Sequence, residues 1–136
     1  MKITDLLTER GVLLRQTPRD KKEAYEKLIG LQQKVGNISD RMEFARGIQA
    51  REEMGPTAIG DGIAIPHTKN KAVKKPGIVA MTVPSGVDCQ ALDEQDSNLF
   101  FMIAAPESGS DVHLEVLSRL STILMDEAFR KQLLAA

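Results

Sequence analysis

His67 and His113 are the two histidines of this 136-residue chain, and histidine is the side chain that most readily exchanges a proton near neutral pH. Pro66 cannot donate a hydrogen bond to a sheet, so we expect a strand to end there and His67 to lie at its carboxyl end. Open α/β sheets bind ligands at that end. Gly60 and Gly62 allow backbone N–H groups to approach an anion. The pattern favours an anion site at His67, with an ordinary loop histidine as the alternative.

His113 is predicted to lie in the first turn of a helix. Leu117, Leu120 and Leu124 follow it at spacings of four, seven and eleven residues, so His113 is expected on the inward side of that helix. A helix N-terminus disfavours imidazolium and attracts anions. We therefore predict a neutral imidazole that donates a hydrogen bond to a phosphoryl group. A core histidine bonded to a carbonyl is the alternative.

Basic side chains lie on both sides of His67 in the sequence. Arg51 closes a predicted helix just before Gly55-Pro56. Its guanidinium is suited to bind phosphoryl oxygens in a bidentate manner, and the alternative is a cation that complements the helix C-terminus. Four lysines follow His67, and a solvated loop or a steering patch for an acidic or phosphorylated partner would explain them. They are Lys69, Lys71, Lys74 and Lys75.

A metal-dependent hydrolase that uses His67, His113 and Asp61 is a rival hypothesis. Catalytic zinc sites usually have three protein ligands, and Asp61 stands between two glycines, where a turn residue is the simpler interpretation. The single cysteine, Cys89, lacks a neighbouring histidine that would activate it, and we predict a small, semi-buried apolar side chain. No metal and no cofactor are therefore expected.

Composition narrows the class of protein. Eighteen basic and nineteen acidic residues give a formal charge of −1, which argues against binding nucleic acid. No apolar run reaches the roughly 20 residues of a membrane-spanning helix, and residues 1–5 lack the features of a signal peptide. One cysteine cannot form an internal disulfide and fits a reducing compartment. We expect one cytoplasmic domain over residues 1–136 that does not insert into a membrane.

Four helices are predicted from caps and apolar spacing. The first starts with Thr17 as N-cap and ends at Gly36-Asn37, and the second is capped by Ser39-Asp40 and ends at Gly55-Pro56. The third follows Ser108–Asp111, and the fourth spans Glu127–Ala135. The inward residues of the second are expected to be Met42, Ala45, Ile48 and Gln49, and those of the third Leu114, Leu117, Leu120, Ser121 and Leu124.

Short apolar runs predict the strands. Gly77–Val83 and Asn98–Ala104 are nearly continuous and are typical of strands covered on both faces. Further strands are expected at Gly11–Leu14, before Pro66, and at Val87–Asp93 after a turn at Pro84–Gly86. Together these elements predict an α/β domain in which helices pack on both faces of a single sheet.

The segment from Arg51 to Thr68, which ends Gly-Asp-Gly-Ile-Ala-Ile-Pro-His-Thr, closely resembles the IIA component of the bacterial phosphoenolpyruvate-dependent sugar phosphotransferase system, in its fructose/mannitol class. The similarity continues through Ala91–Asp93, Ala104–Glu107 and His113–Ser118. The resemblance implies a single α/β domain with a mixed central sheet flanked by helices. It also implies uptake and phosphorylation of a fructose/mannitol-class sugar.

The same resemblance assigns roles to residues. His67 is expected to accept a phosphoryl group on Nε2 from the histidine-containing phosphocarrier protein. It would then pass the group to a cysteine of a IIB component, which is linked to a membrane IIC permease. His113 is expected to hydrogen-bond the phosphoryl group and Arg51 to neutralise it. A nitrogen-related regulatory IIA protein with the same phosphohistidine is the alternative, although Thr68 favours sugar transport.

Overall fold

The computed structural model describes residues 3–107 and 112–136. Within these ranges, two short 3₁₀ turns, Ile3–Asp5 and Glu9–Gly11, precede four helices and six strands. The helices are α1 (Lys21–Lys34), α2 (Arg41–Glu53), α3 (Val112–Ile123) and α4 (Glu127–Ala135). The strands are β1 (Val12–Leu13), β2 (Ala58–Gly60), β3 (Ile63–Ala64), β4 (His67–Asn70), β5 (Gly77–Val87) and β6 (Ser97–Pro106).

The six strands form one mixed sheet in the order β1-β5-β6-β3-β2, with β4 also paired to β6. The long strands β5 and β6 are antiparallel and form its centre. Strand β1 pairs in parallel with β5, β3 and β4 pair in parallel with β6, and β2 pairs antiparallel with β3. Alternate residues of β6 face opposite sides. Phe100 and Met102 pack towards α1 and α2, whereas Phe101 and Ile103 pack towards α3 and α4. The predicted fold class, a mixed sheet flanked by helices, is confirmed.

Aspartates begin three of the helices. Asp40 caps α2 by accepting the N–H of Glu43, as predicted, and Asp126 caps α4, whose predicted bounds are correct. The prediction of Thr17 as the cap of α1 is wrong by three residues. Asp20 is the cap because its carboxylate accepts the N–H of Glu23 at 2.9 Å, and a capping aspartate satisfies a helix donor at the third position.

Strand β5 is longer than predicted. Pro84–Gly86 does not form a turn but continues β5 to Val87, across an irregularity in the register between Thr82 and Val87. The predicted strand Val87–Asp93 is wrong, because the Asp93 carboxylate accepts the N–H groups of Asp61 and Gln95. These bonds draw the segment into a turn beside the β2–β3 hairpin, where an aspartate that bonds nearby backbone is typical.

The buried stripes of α2 and α3 differ in part from the predicted ones. Phe44 and Ile48 are the buried residues of α2, whereas Met42 is 73% exposed. Leu120 of α3 and Leu124, which directly follows the helix, are buried as predicted, whereas Leu114 is 53% exposed. Apolar spacing identifies an apolar face of a helix but does not determine which part of that face another element covers. The predicted lead-in Ser108–Asp111 lies outside the described residues.

None of the helices in the described part of the chain is long and apolar enough to cross a membrane.

Candidate active site

His67 follows the carboxyl end of β3, as expected, and is also the first residue of β4, a strand that the sequence analysis did not predict. Strand β3 ends at Ala64, and Pro66 interrupts the pairing with β6 because it has no N–H. Its carbonyl nevertheless accepts the N–H of Ile103 at 3.0 Å, so the chain returns to β6 and pairs His67 with Ile103. His67 therefore lies where two consecutive strands meet along the same edge of β6.

The imidazole of His67 is held in a defined orientation. Its Nδ1 lies 2.7 Å from the carbonyl oxygen of Ile65. A carbonyl only accepts, so Nδ1 carries the hydrogen that it donates, and in the neutral ring Nε2 then keeps its lone pair. The ring is half-buried, whereas Ile65 is 1% exposed. The arrangement provides a fixed ring whose Nε2 can act as a nucleophile.

Strand β4 presents its two faces to different layers. Thr68 and Asn70 are buried against α2, where Gly47 leaves space for them: a Cβ at Gly47 would lie 2.6 Å from the Asn70 Nδ2 and 2.8 Å from the Thr68 Oγ1. His67 alternates with Thr68 and shares its register with Ile103, which packs among residues of α3. His67 therefore projects on the α3 side of the sheet.

His113 lies in the first turn of α3, as predicted. Its side chain lies outside the described part of the structure. Helix α3 packs through Val116 and Leu120 on the face that carries Ile65 and Ile103, so the helix and His67 share one side of the sheet. A shared phosphoryl group between the two imidazoles stays a prediction.

Arg51 lies in the last turn of α2, as predicted, and is partly buried. Its Nη1 donates a hydrogen bond of 3.1 Å to the carbonyl of Gly55. Gly55 begins the short segment Gly55–Thr57, and the carbonyl of Thr57 accepts the N–H of Ile65 at 3.0 Å. Arg51 is thus bonded to one end of this segment, and Ile65, whose carbonyl contacts the His67 ring, is bonded to the other end. The predicted contact of Arg51 with a phosphoryl group stays a prediction.

Glu52 is a buried acid that the sequence analysis missed. Its side chain is 7% exposed, and its carboxylate accepts the hydroxyl of Thr57 in a short hydrogen bond. It also pairs with the ammonium of Lys21 at 2.8 Å and with the hydroxyl of Tyr25 at 3.4 Å. Burial and the Glu52 charge both raise the pKa of Tyr25. These partners come from α1 and a loop, so no local sequence pattern reveals the cluster.

Local structure explains three further residues that the sequence analysis considered, Asp61, Cys89 and Lys71. Asp61 adopts a left-handed backbone, φ 56°, in the β2–β3 turn, as a turn residue does. Cys89 is fully buried. Lys71 pairs with Glu43 at 3.6 Å, and the amide of Asn70 lowers the pKa of that glutamate. Among the described residues, no group of three or more His, Cys, Asp or Glu side chains could hold a metal ion.

Comparison with solved structures identifies the class of domain. The chain superposes with a TM-score of 0.89 on nitrogen regulatory protein IIA-Ntr from Neisseria meningitidis, at 28% identity, covering 97% of this chain and 90% of that one. It superposes with a TM-score of 0.81 on the mannitol IIA of Escherichia coli, solved in complex with phosphorylated mannitol IIB. That match has 26% identity and covers 94% of this chain and 89% of the other. The fold is that of IIA domains.

Sequence comparison then defines the family. Residues 5–136 match the family described as phosphoenolpyruvate-dependent sugar phosphotransferase system, EIIA 2, and the chain belongs to this family. It is 44% identical over 136 residues to the fructose-specific EIIABC component of Bacillus subtilis, covering all of this chain and 21% of that protein. It is 37% identical over 139 residues to the fructose-specific EIIA component of Haloferax volcanii, covering all of this chain and 90% of that protein.

Nitrogen regulatory proteins are also among the proteins that this chain resembles. The nitrogen regulatory protein of Bradyrhizobium diazoefficiens is 32% identical over 136 residues, which cover all of this chain and 88% of that protein. The chain thus spans about a fifth of the Bacillus relative and most of the two shorter ones.

Proposed function

We propose that this chain is a phosphocarrier of the sugar phosphotransferase system and that His67 is its phosphoryl acceptor. The donor would be the phosphohistidine of the histidine-containing phosphocarrier protein, and the next acceptor a cysteine of a IIB component. The bond from the His67 Nδ1 to the Ile65 carbonyl carries the proposal, because in the neutral, half-buried ring it places the lone pair on Nε2. Membership of the EIIA 2 family supports the same assignment.

The transfer replaces one nitrogen–phosphorus bond by another. The lone pair of the His67 Nε2 attacks phosphorus while the bond to the donor imidazole breaks, and the donor ring leaves with that electron pair. Charge spreads over the three equatorial oxygens, so positioning and electrostatic stabilisation supply the catalysis. Arg51 and His113 are the groups proposed to offset this charge. The Nδ1–H bond to Ile65 is retained after transfer, since phosphorylation occupies only Nε2.

The proposed pathway is uptake of a fructose/mannitol-class sugar through a IIB component linked to a membrane IIC permease. Two fructose-specific relatives at 44% and 37% identity favour this pathway over nitrogen regulation, which a relative at 32% supports. Docking of each protein partner is proposed to be transient, with an interface at the small end of the range for protein complexes.

A phosphoryl-relay assay tests the proposal. The chain is incubated with labelled phosphoenolpyruvate, the first enzyme of the system and the histidine-containing phosphocarrier protein. We expect acid-labile label on the wild-type chain and none on His67→Gln, with an unchanged circular dichroism spectrum. His113→Gln is the matched comparison and is expected to accept label more slowly. Acid-labile label of normal extent on a folded His67→Gln chain would overturn the assignment.

A second stage of the assay identifies the pathway. Candidate IIB proteins are added to the labelled chain, and transfer of label is followed by gel autoradiography. Transfer to a fructose-class IIB is the expected result. Stable label on this chain with every sugar-specific IIB would favour the regulatory role instead.

A further inference from the structure

We propose that Glu52 and Thr57 are positioning residues that select the tautomer of His67. In this proposal they hold the Ile65 carbonyl against Nδ1, so that in the neutral ring Nε2 carries the lone pair that would accept a phosphoryl group. The proposal rests on the proposed function of His67.

The first step in the argument is the anchoring of Thr57. Thr57 is 3% exposed, and its hydroxyl donates to the Glu52 carboxylate. Glu52 is held in turn from α1 by the Lys21 ammonium at 2.8 Å and the Tyr25 hydroxyl at 3.4 Å. Tyr25 packs edge-to-face on Phe100 of β6, with ring centroids 6.4 Å apart. The contacts of Glu52 and Tyr25 therefore connect the Thr57 side chain to the hydrophobic core.

The second step runs through the backbone. The carbonyl of Thr57 accepts the N–H of Ile65 at 3.0 Å, and the carbonyl of Ile65 accepts the Nδ1–H of His67 at 2.7 Å. The N–H and the carbonyl of Ile65 thus connect the Thr57 backbone to the His67 imidazole. The bond from the Ile65 N–H to the Thr57 carbonyl continues the antiparallel pairing of β2 with β3, in which Ala58 lies opposite Ala64, so the position of Thr57 helps to set the direction of the Ile65 carbonyl.

The third step is chemical. Neutral imidazole in water favours the tautomer with hydrogen on Nε2, and that tautomer has no lone pair at the atom proposed to accept phosphorus. A carbonyl aimed at Nδ1 reverses the preference, as a hydrogen bond to one ring nitrogen determines which nitrogen is protonated. Loosening of Thr57 should therefore return His67 towards the unreactive tautomer without removing any group from the site.

Thr57→Val tests the proposal, because valine keeps the branched shape and removes the hydroxyl. The ring nitrogens of His67 are observed by long-range ¹H–¹⁵N NMR at a pH where the ring is neutral. We expect the Nε2 resonance to move towards the protonated position and the rate of phosphoryl acceptance to fall about tenfold or more, as displacement of a reacting group does. Thr57→Ser, which restores the hydroxyl, is expected to return both quantities close to the wild-type values.

Thr82→Val is the matched control. Thr82 is also a buried threonine, and its hydroxyl accepts the N–H of Arg15 at 2.8 Å, away from β4. The Thr82→Val variant is expected to leave the His67 tautomer unchanged. If Thr57→Val does not fold, Glu52→Gln replaces it, since the charge-assisted bond becomes neutral and a smaller shift in the same direction is expected. A folded Thr57→Val or Glu52→Gln chain with wild-type ring resonances would overturn the proposal.

The two readouts separate this proposal from the one on which it rests. If the wild-type chain accepts no label, the proposed function fails, whereas the tautomer measurement still tests the role of Thr57. If the wild-type chain accepts label and the tautomer does not respond to Thr57→Val, only the positioning role fails.

Discussion

A neutral imidazole has one nitrogen that donates and one that accepts, and its surroundings decide which is which. At His67 the decision is made by the carbonyl of Ile65, two residues earlier in the chain. Arg51 and Glu52 are adjacent in α2 but hold different parts of the next segment, the Gly55 carbonyl and the Thr57 hydroxyl. The chemical properties of these side chains therefore depend on the hydrogen bonds that orient them.

Cys89 provides a prediction at the residue scale. Burial raises the pKa of its thiol from 9.0 to about 11. At pH 8 the native thiolate population should be about 100-fold below that of the unfolded chain, since each pKa unit is a factor of ten. We expect the native protein to resist an aromatic disulfide reagent at pH 8 and to react once unfolded in urea. Rapid modification of the folded chain would contradict the buried position.

The same thiol predicts a pH dependence of stability. A folded pKa above the unfolded value makes a contribution that is complete below pH 9 and is lost as the pH rises towards 11. The urea midpoint of the wild type should therefore fall relative to that of Cys89→Ala across this window. Comparison with the variant removes the contributions of other groups that titrate there.

At the scale of elements, the contact between α2 and β4 connects the helix that carries Arg51 to the strand that begins with His67. Gly47 makes this contact possible, because the buried side chains of Thr68 and Asn70 occupy the space where a Cβ would lie. Glycine in a helix interior normally costs about 1 kcal/mol relative to alanine. Here the cost is offset by close packing of the helix on the strand.

Two glycines in helix interiors allow this contact to be tested. Gly47→Ala places its Cβ within 2.8 Å of Thr68 and Asn70, and we expect a loss of about 1–3 kcal/mol in the free energy of unfolding from overpacking. In Gly30→Ala of α1, the atoms nearest to the new Cβ belong to the flexible end of Arg41, at 3.4 Å or more, and the change should be neutral or stabilising by up to about 1 kcal/mol. Urea denaturation measures both. A Gly47→Ala variant as stable as Gly30→Ala would refute the packing argument.

At the scale of the whole molecule, the two faces of the sheet are covered unequally. The face under α1 and α2 contains fully buried residues from both helices, whereas α4 has no buried residue and covers the other face with partly buried Phe129, Leu133 and Leu134. Arg15 adds a connection to α4, since its guanidinium donates to the carbonyls of Ala135 and Ala136 at 3.2 and 3.1 Å. Because α4 is held by partly buried residues and by these bonds to Arg15, we expect it to open more easily than the central strands.

Amide hydrogen exchange checks this difference. We expect the amides of α4 to exchange at least tenfold faster than those of β5 and β6, because local opening exposes little apolar surface. Arg15→Ala should accelerate exchange in α4 and leave β5 and β6 unchanged. Lys131→Ala is the control, since it removes an exposed ion pair to Glu127 within the same helix and should have a smaller effect. Equal protection of α4 and β6 would contradict the expectation.

Much of the fold and part of the site could be predicted from sequence. Capping residues and continuous apolar runs located the helices and the two central strands, because these signals act over a few neighbouring residues. The same local signals placed Thr17 as a cap and Val87–Asp93 as a strand. Both errors arose where Asp20 and Asp93 form hydrogen bonds that compete with the predicted structure.

The sequence by itself determined which groups are available for chemistry: the imidazole of His67 after a proline, and Arg51 at the end of a helix, each of which depends on covalent geometry and near neighbours. The tertiary structure alone decided the environment of those groups. The Glu52 carboxylate contacts Tyr25 and Thr57 although 27 and five residues separate them in the chain. Such contacts form only when separate elements pack together, since burial and the direction of a hydrogen bond depend on neighbours that are distant in sequence.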